Sequence, residues 1–343
     1  MPSLIEHIAA ALFGGAAGDA DERDRQLVED MIEVVVETVD PRIRALPRYR
    51  EKLAGGVRRT IAHLRALGRE RLEPVPLSRA AWSQDPRVNA FFARADEVSA
   101  CVGRSDEIRR FFERRPGCRE AWALLGMKRE ERKVLAPRLE GDVLRQDVPQ
   151  ITVSFSGHRL IAPAEDEAQT RLEVGRRIIE RLAQLALARI AKSREKATDL
   201  EQRKAYLDAR LRTLKLARNG VERLVSDPAK TEEQIREVER ELGKAAASYA
   251  EAKSGLLAPD RTIGEIDAVL AKPEEQVALA RVPLRINRMG IKVEAGSSEP
   301  AAELDLTELA LGDGLRATIA LARIPRSELP PKEDLVAQAE RTL

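Results

Sequence analysis

The side chains that could carry a reaction are sparse in this chain and poorly grouped. Its three histidines, His7, His63 and His158, are spaced too far apart to form a metal-ligand pair. Cys101 and Cys118 form no CxxC or Cys/His cluster, so neither zinc nor a disulfide framework is expected. Thr152, Ser154 and Ser156 precede His158, a combination of the residue types that serve as nucleophile and base. In a strand, however, these alternate residues share one face, and no acidic third member stands near them. The glycine-rich phosphate loops, HExxH, GxSxG and the EF-hand spacing are all missing, and carboxylates fall beside arginines as in solvated ion pairs. The expectation is a protein without cofactor or metal and not an enzyme; the remaining catalytic reading is an unfamiliar site among the aromatics Trp82, Phe91, Phe92, Phe111, Phe112 and Trp122.

Charge offers another chemistry. Total charge is only +2, but Asp19 to Asp40 carries nine acids against two arginines, and Arg42 to Arg71 carries ten bases against two acids. On a helix, Leu53, Val57, Ile61, Leu64 and Leu67 share one face, and Arg48, Arg58, Arg59, Arg65 and Arg69 gather on the other. Such a face suits phosphate or an anionic membrane surface, so nucleic acid or lipid is a candidate partner. Its ordinary use is to complement the preceding acidic helix.

These residues need elements to hold them. At 34% charged and 3% aromatic, with Ala, Leu, Glu and Arg abundant, the composition calls for long helices with wet faces. The fold class expected is α+β, predominantly α, with a helical N-terminal domain over residues 1–145. Gly14-Gly15, Gly55-Gly56 and repeated prolines should keep those helices short. Residues 22–39 read as a largely buried helix, and 80–95 and 106–125 as aromatic-rich helices. A small antiparallel β domain is expected from residues 148–163 plus 274–326, interrupted by a coiled-coil hairpin over 164–272. Residues 327–343 form a peripheral tail.

Within the first β segment, Ile151, Val153 and Phe155 alternate with polar residues, and Gly157 should turn the chain into Leu160 and Ile161. Between Asp166 and Val225 no proline occurs, so a helix of up to about 90 Å is allowed at 1.5 Å per residue. Leu200, Leu207, Leu211, Leu214 and Val221 outline an apolar seam on it. Asp227-Pro228 should form the hairpin tip, with Thr231 and Gln234 as a capping box for the return. The returning seam is the most regular pattern in the chain: Ile235, Val238, Leu242, Ala245, Tyr249, Ala252 and Leu256 keep a 3-4 spacing throughout. Ala278–Pro283 and Ala320–Pro325 match at five of six positions, which suggests two equivalent strands, each stopped by proline.

No run of eighteen apolar residues occurs, so no transmembrane helix is expected. The apolar stretch Ile8–Ala17 has no preceding Lys or Arg, unlike an export signal, and a cytoplasmic location is expected. The function these features favour is a non-enzymatic scaffold or assembly protein. Its coiled-coil hairpin would bind a protein partner or a second copy. The alternative is polyanion binding through the basic helix.

Overall fold

The computed structural model describes residues 20–68, 72–140, 143–219, 228–257, 259–294, 296–297, 299–312 and 314–331. Several of the sequence expectations lie outside those residues: the apolar stretch Ile8–Ala17, Arg69, Val221, Asp227 and the tail beyond residue 331. The chain is mixed α/β with one sheet, antiparallel but for a two-residue strand, β1 (Val75–Pro76), which pairs parallel to the stretch Ala322-Arg323. It divides into two compact units, one of residues 1–28, 60–178 and 273–343 and the other of 29–59 and 179–272.

In the first unit, β2 (Glu120–Glu140) and β3 (Val143–Ala164) form a long hairpin, and β4 (Val277–Ile286), β5 (Ala302–Leu311) and β6 (Leu315–Pro325) complete the order β3-β2-β6-β5-β4. The strands on either side of the long helices in sequence thus belong to one sheet. The segment Gly290–Val293 hydrogen-bonds to both end strands. Val153 N–H donates to Gly290 O and Lys292 N–H to Ile151 O on β3; Val293 N–H donates to Arg285 O on β4. These bonds close the sheet into a small barrel and leave fewer open edges.

The helical reading of 106–125, and of the N-terminal domain to residue 145, fails from Glu120 onward. Ala121, Ala123, Leu125 and Met127 are buried on one face of β2, a period of two that the prolines and aromatics nearby obscured. Their ladder partners Ile324, Ala322, Ala320 and Thr318 share that face on β6. Leu284, Ile286, Leu304 and Leu306 join the same core from β4 and β5. Short helices α3 (Pro86–Phe91), α4 (Ala95–Gly103) and α5 (Asp106–Arg114) add Val88, Phe91, Phe92, Val98, Ile108 and Phe112.

Gly157 does not turn the chain; β3 runs straight through it. Gly126 pairs with Arg159 and Lys128 with Ser156, so one residue on β2 faces two on β3, Gly157 and His158, in a β-bulge. Two more bulges follow the same pattern at Gln146-Asp147 and Ala162-Pro163. Each contains a residue in the left-handed region: Gly157 at φ 65°, Asp147 at 59° and Ala162 at 56°. An inserted residue shifts the in-out alternation just as a turn interrupts it, which is why the pattern resembled a hairpin. The two matching hexapeptides do lie on strands, but Pro283 sits inside β4. At Pro283 the strand pairs only with β5, opposite Asp305, so a missing N–H is tolerated there.

The second unit is helical. It takes residues from α1 (Ala20–Val39), α2 (Tyr49–Gly68) and the 53-residue α6 (Glu167–Asn219), together with α7 (Pro228–Leu257) and α8 (Pro259–Leu270). Met31, Ile32, Val35 and Val36 are buried from α1, and Leu53 and Val57 from α2. Gly55-Gly56 does not end a helix: α2 continues through both. Gly56 brings the helix close to α8, where its N–H lies 3.1 Å from Asp267 Oδ1. α7 begins at Pro228, whose fixed φ and missing N–H suit a first helical turn, so Thr231 lies inside the helix rather than capping it.

Candidate functional site: the paired helices and the polar clusters

Burial along α6 separates two halves. Ile179, Leu182, Ala183, Leu185, Ala186 and Ile190 are all buried, whereas beyond Ala197 only Leu207 is. Distal α6 instead meets α7. Leu207, Val238 and Ala245 form a buried cluster with Leu211, Leu214 and Leu242 packed around it. Ion pairs flank the cluster: Arg203 to Glu241 at 3.4 Å, Lys215 to Glu239 at 2.7 Å and Arg218 to Glu232 at 3.5 Å. Tyr249 donates its hydroxyl to Glu201 at 2.8 Å, and the ammonium groups of Lys204 and Lys253 lie over its ring. Rising numbers on α6 meet falling numbers on α7, so the two helices run antiparallel. Of the other proposed seam positions, Ile235 is buried and Leu200 half-buried. The backbone of Leu256 lies in α7, and Pro228 opens that helix; their side chains are outside the description.

Of the five arginines proposed for polyanions, the four that are described do not form one free surface. Arg65 is bidentate to Asp24 at 2.6 and 3.1 Å, a contact that holds the Asp24 carboxyl below its usual range. Arg48, at φ 57°, lies 3.9 Å from Glu51. Arg58 and Arg59 are exposed and form no ion pair with a described residue. The acid-rich α1 answers the bases that follow it: Glu33 accepts from Tyr49 Oη at 2.7 Å, Arg44 Nε at 3.0 Å and Arg50 Nη2 at 2.9 Å. Burial raises the Glu33 carboxyl, but these bonds outweigh it and hold its pKa below the ordinary value.

The serines and His158 are kept apart. Thr152, Ser154 and Ser156 pair opposite Arg132, Glu130 and Lys128 on one face of the ribbon, and both serines are exposed. The bulge instead carries His158 to the aromatic layer, where Nε2 lies 2.8 Å from Phe91 O and the ring stacks on Phe92 at 4.3 Å. Burial depresses the His158 pKa, against the opposing effect of the Phe91 carbonyl. His63 Nε2 lies 2.8 Å from Val277 O, and His7 is outside the described residues. Cys101 is buried, which pushes its thiol up to about 11.

Phe91, Phe92, Phe111 and Phe112 are core material with Trp82 packed against them, whereas Trp122 is half-buried outside that cluster. Phe91 meets Phe155 edge to face at 5.2 Å, Phe111 meets Phe112 likewise at 5.3 Å, and Trp82 Nε1 donates to Phe92 O at 2.7 Å. Sequence reasoning had no means of finding two polar networks whose members are distant along the chain. Glu107 binds both Arg177 and the Ala162 N–H of the bulge. On the barrel's inner face, Arg129 bridges Glu131 and Glu308, and Lys292 reaches Glu131 at 3.3 Å. Both networks neutralise themselves with paired charges. Among the described residues there is no group of three His, Cys, Asp or Glu placed to hold a metal, and no helix long and apolar enough to cross a membrane.

No family model matches this chain, and neither a curated protein nor a solved structure is detectably similar to it.

Proposed function

We propose that this protein is a non-enzymatic scaffold or assembly factor that presents α6 and α7, as an intramolecular coiled-coil hairpin inserted between strands of a discontinuous β domain, to a protein partner. The observation that carries this reading is the antiparallel seam of Leu207, Val238 and Ala245. That seam is satisfied within one chain, so the outer helix faces are left for a partner. A hairpin that contributes little to the buried core of its own unit beyond Ala197 has its rationale in reach. The reading places the protein in the cytoplasm, in keeping with two free cysteines.

The test is affinity capture from native lysate with the full chain and with a chain in which residues 200–257 are replaced by a short glycine linker. Partners lost with the hairpin support the reading; an identical set of partners overturns it. The polyanion reading rests on exposed Arg58 and Arg59. Weaker heparin retention of Arg58→Glu/Arg59→Glu at low salt would favour it, and unchanged retention would remove it.

A further inference from the structure

We propose that the outer face of distal α6 docks an acidic amphipathic helix of a partner protein. The inference deepens the scaffold reading and rests on it. Two of the most exposed large apolar side chains among the described residues lie here: Tyr206 is 59% exposed and Leu216 73%. Ala209 and Thr213 are also exposed and complete a 3-4-3 spacing, Tyr206-Ala209-Thr213-Leu216. At about 100° per residue this stripe lies on the side of α6 turned away from Leu207, Leu211 and Leu214, so it is not part of the hairpin's own seam.

The stripe has the layout of a helix-docking surface. It spans about 15 Å, three helical turns, with a bulky side chain at each end and small ones between. The Thr213 hydroxyl donates to Ala209 O at 3.2 Å, so that hydroxyl is already satisfied and the methyl remains to contact a partner. Tyrosine and leucine anchors flanking a shallow centre suit the ridge of an opposing helix.

Charge selects the occupant. Arg210 and Arg212 flank the stripe on opposite sides, both exposed and neither ion-paired with a described residue. Other bases on this stretch already have partners on α7: Arg203 has Glu241, Lys215 has Glu239 and Arg218 has Glu232. Two uncommitted arginines beside an apolar ridge favour Glu or Asp at the flanking positions of the incoming helix. A second copy offering the same face would set arginine against arginine. A polyanion would use the arginines but leave Tyr206 and Leu216 unburied.

The test substitutes the photo-cross-linking residue benzoylphenylalanine for Ala209 in the full chain, irradiates it in native lysate and maps the attached peptide by mass spectrometry. The expected product joins Ala209's position to an acidic amphipathic helix of another protein. Its yield should fall at least about tenfold in Arg210→Glu/Arg212→Glu and hold in Arg58→Glu/Arg59→Glu, an equal charge change elsewhere. Attachment to a second copy, to nucleic acid or to a basic segment overturns the proposal, as does no attachment or a yield insensitive to Arg210 and Arg212. Tyr206→Asp/Leu216→Asp, with helicity checked by circular dichroism, separates the two levels. Partners lost with residues 200–257 but kept by this variant overturn the docking surface alone; partners kept without residues 200–257 overturn the scaffold reading.

Discussion

Gly55 and Gly56 are neighbours in the middle of α2, yet one added methyl should act oppositely at the two positions. A Cβ on Gly55 meets nothing within 4 Å, so Gly55→Ala gains helix propensity of about 1 kcal/mol with no packing penalty. A Cβ on Gly56 would stand 2.6 Å from Asp267 Oδ1, 2.9 Å from Leu270 Cβ and 3.4 Å from Ala271 N. Asp267 can rotate, but Leu270 Cβ is fixed to the α8 backbone, so α8 itself must move. Overpacking of this kind costs about 1–3 kcal/mol, against the same gain of about 1 kcal/mol. The expected difference between the two variants is about 1–3 kcal/mol. With urea slopes of about 2 kcal/mol/M, this separates the unfolding midpoints by about 0.5–1.5 M, readable from helical circular dichroism. Equal midpoint shifts in one direction would refute the close approach of α2 to α8. Asp267→Ala in the Gly56→Ala background should recover only part of the loss, because Leu270 remains.

Val238→Asp places a carboxylate in the α6–α7 seam and should cost several kcal/mol, whereas Arg210→Ala on the outer face should stay within about 0.5 kcal/mol; urea titration compares them. Glu107→Ala should destabilise by about 1–2 kcal/mol after allowance for its partial exposure, because Arg177 and the Ala162 N–H both lose their acceptor. The His158 ring should titrate below its ordinary 6.5 in an NMR experiment. A depressed histidine pKa means that the unfolded chain takes the proton first. His158's contribution is therefore fully present above 6.5 and declines as pH falls from 6.5 through the folded value; a higher folded pKa would contradict its burial.

Long-range closure was the hidden part of this fold, and local periodicity the visible part. The 3-4 spacing from Ile235 to Leu256 fell within α7, and α6 fell within the proline-free run. Leu53, Val57 and Ile61 share the buried face of α2 because amphipathic spacing is a local property. The strand at Glu120–Glu140 was missed because its core side chains include Ala121 and Ala123, which fit a helix equally well. Their strand identity comes from β6, nearly two hundred residues later. The basic face of α2 was visible, and so was its complement in the preceding acidic helix; that Arg65 pairs with Asp24 was not, since the choice of partner depends on packing. For the candidate docking stripe, the apolar spacing was available all along. What distinguished Tyr206 and Leu216 from seam residues was exposure, which no periodicity reports.

The bulge at Gly157-His158 gives β3 a reading frame. Val153 and Leu160 both enter the core although seven residues separate them, an odd interval that unbroken alternation would send to opposite faces. One additional residue keeps both in phase. Deleting Gly157 would therefore act as a conformational frameshift: regular pairing across the gap would force either Val153 and Phe155 or Leu160 out of the interior, although the deleted residue itself buries no side chain. The same deletion would withdraw His158 from Phe92. This backbone position can accept an exchanged side chain more readily than a change in length, so its constraint is numerical before it is chemical.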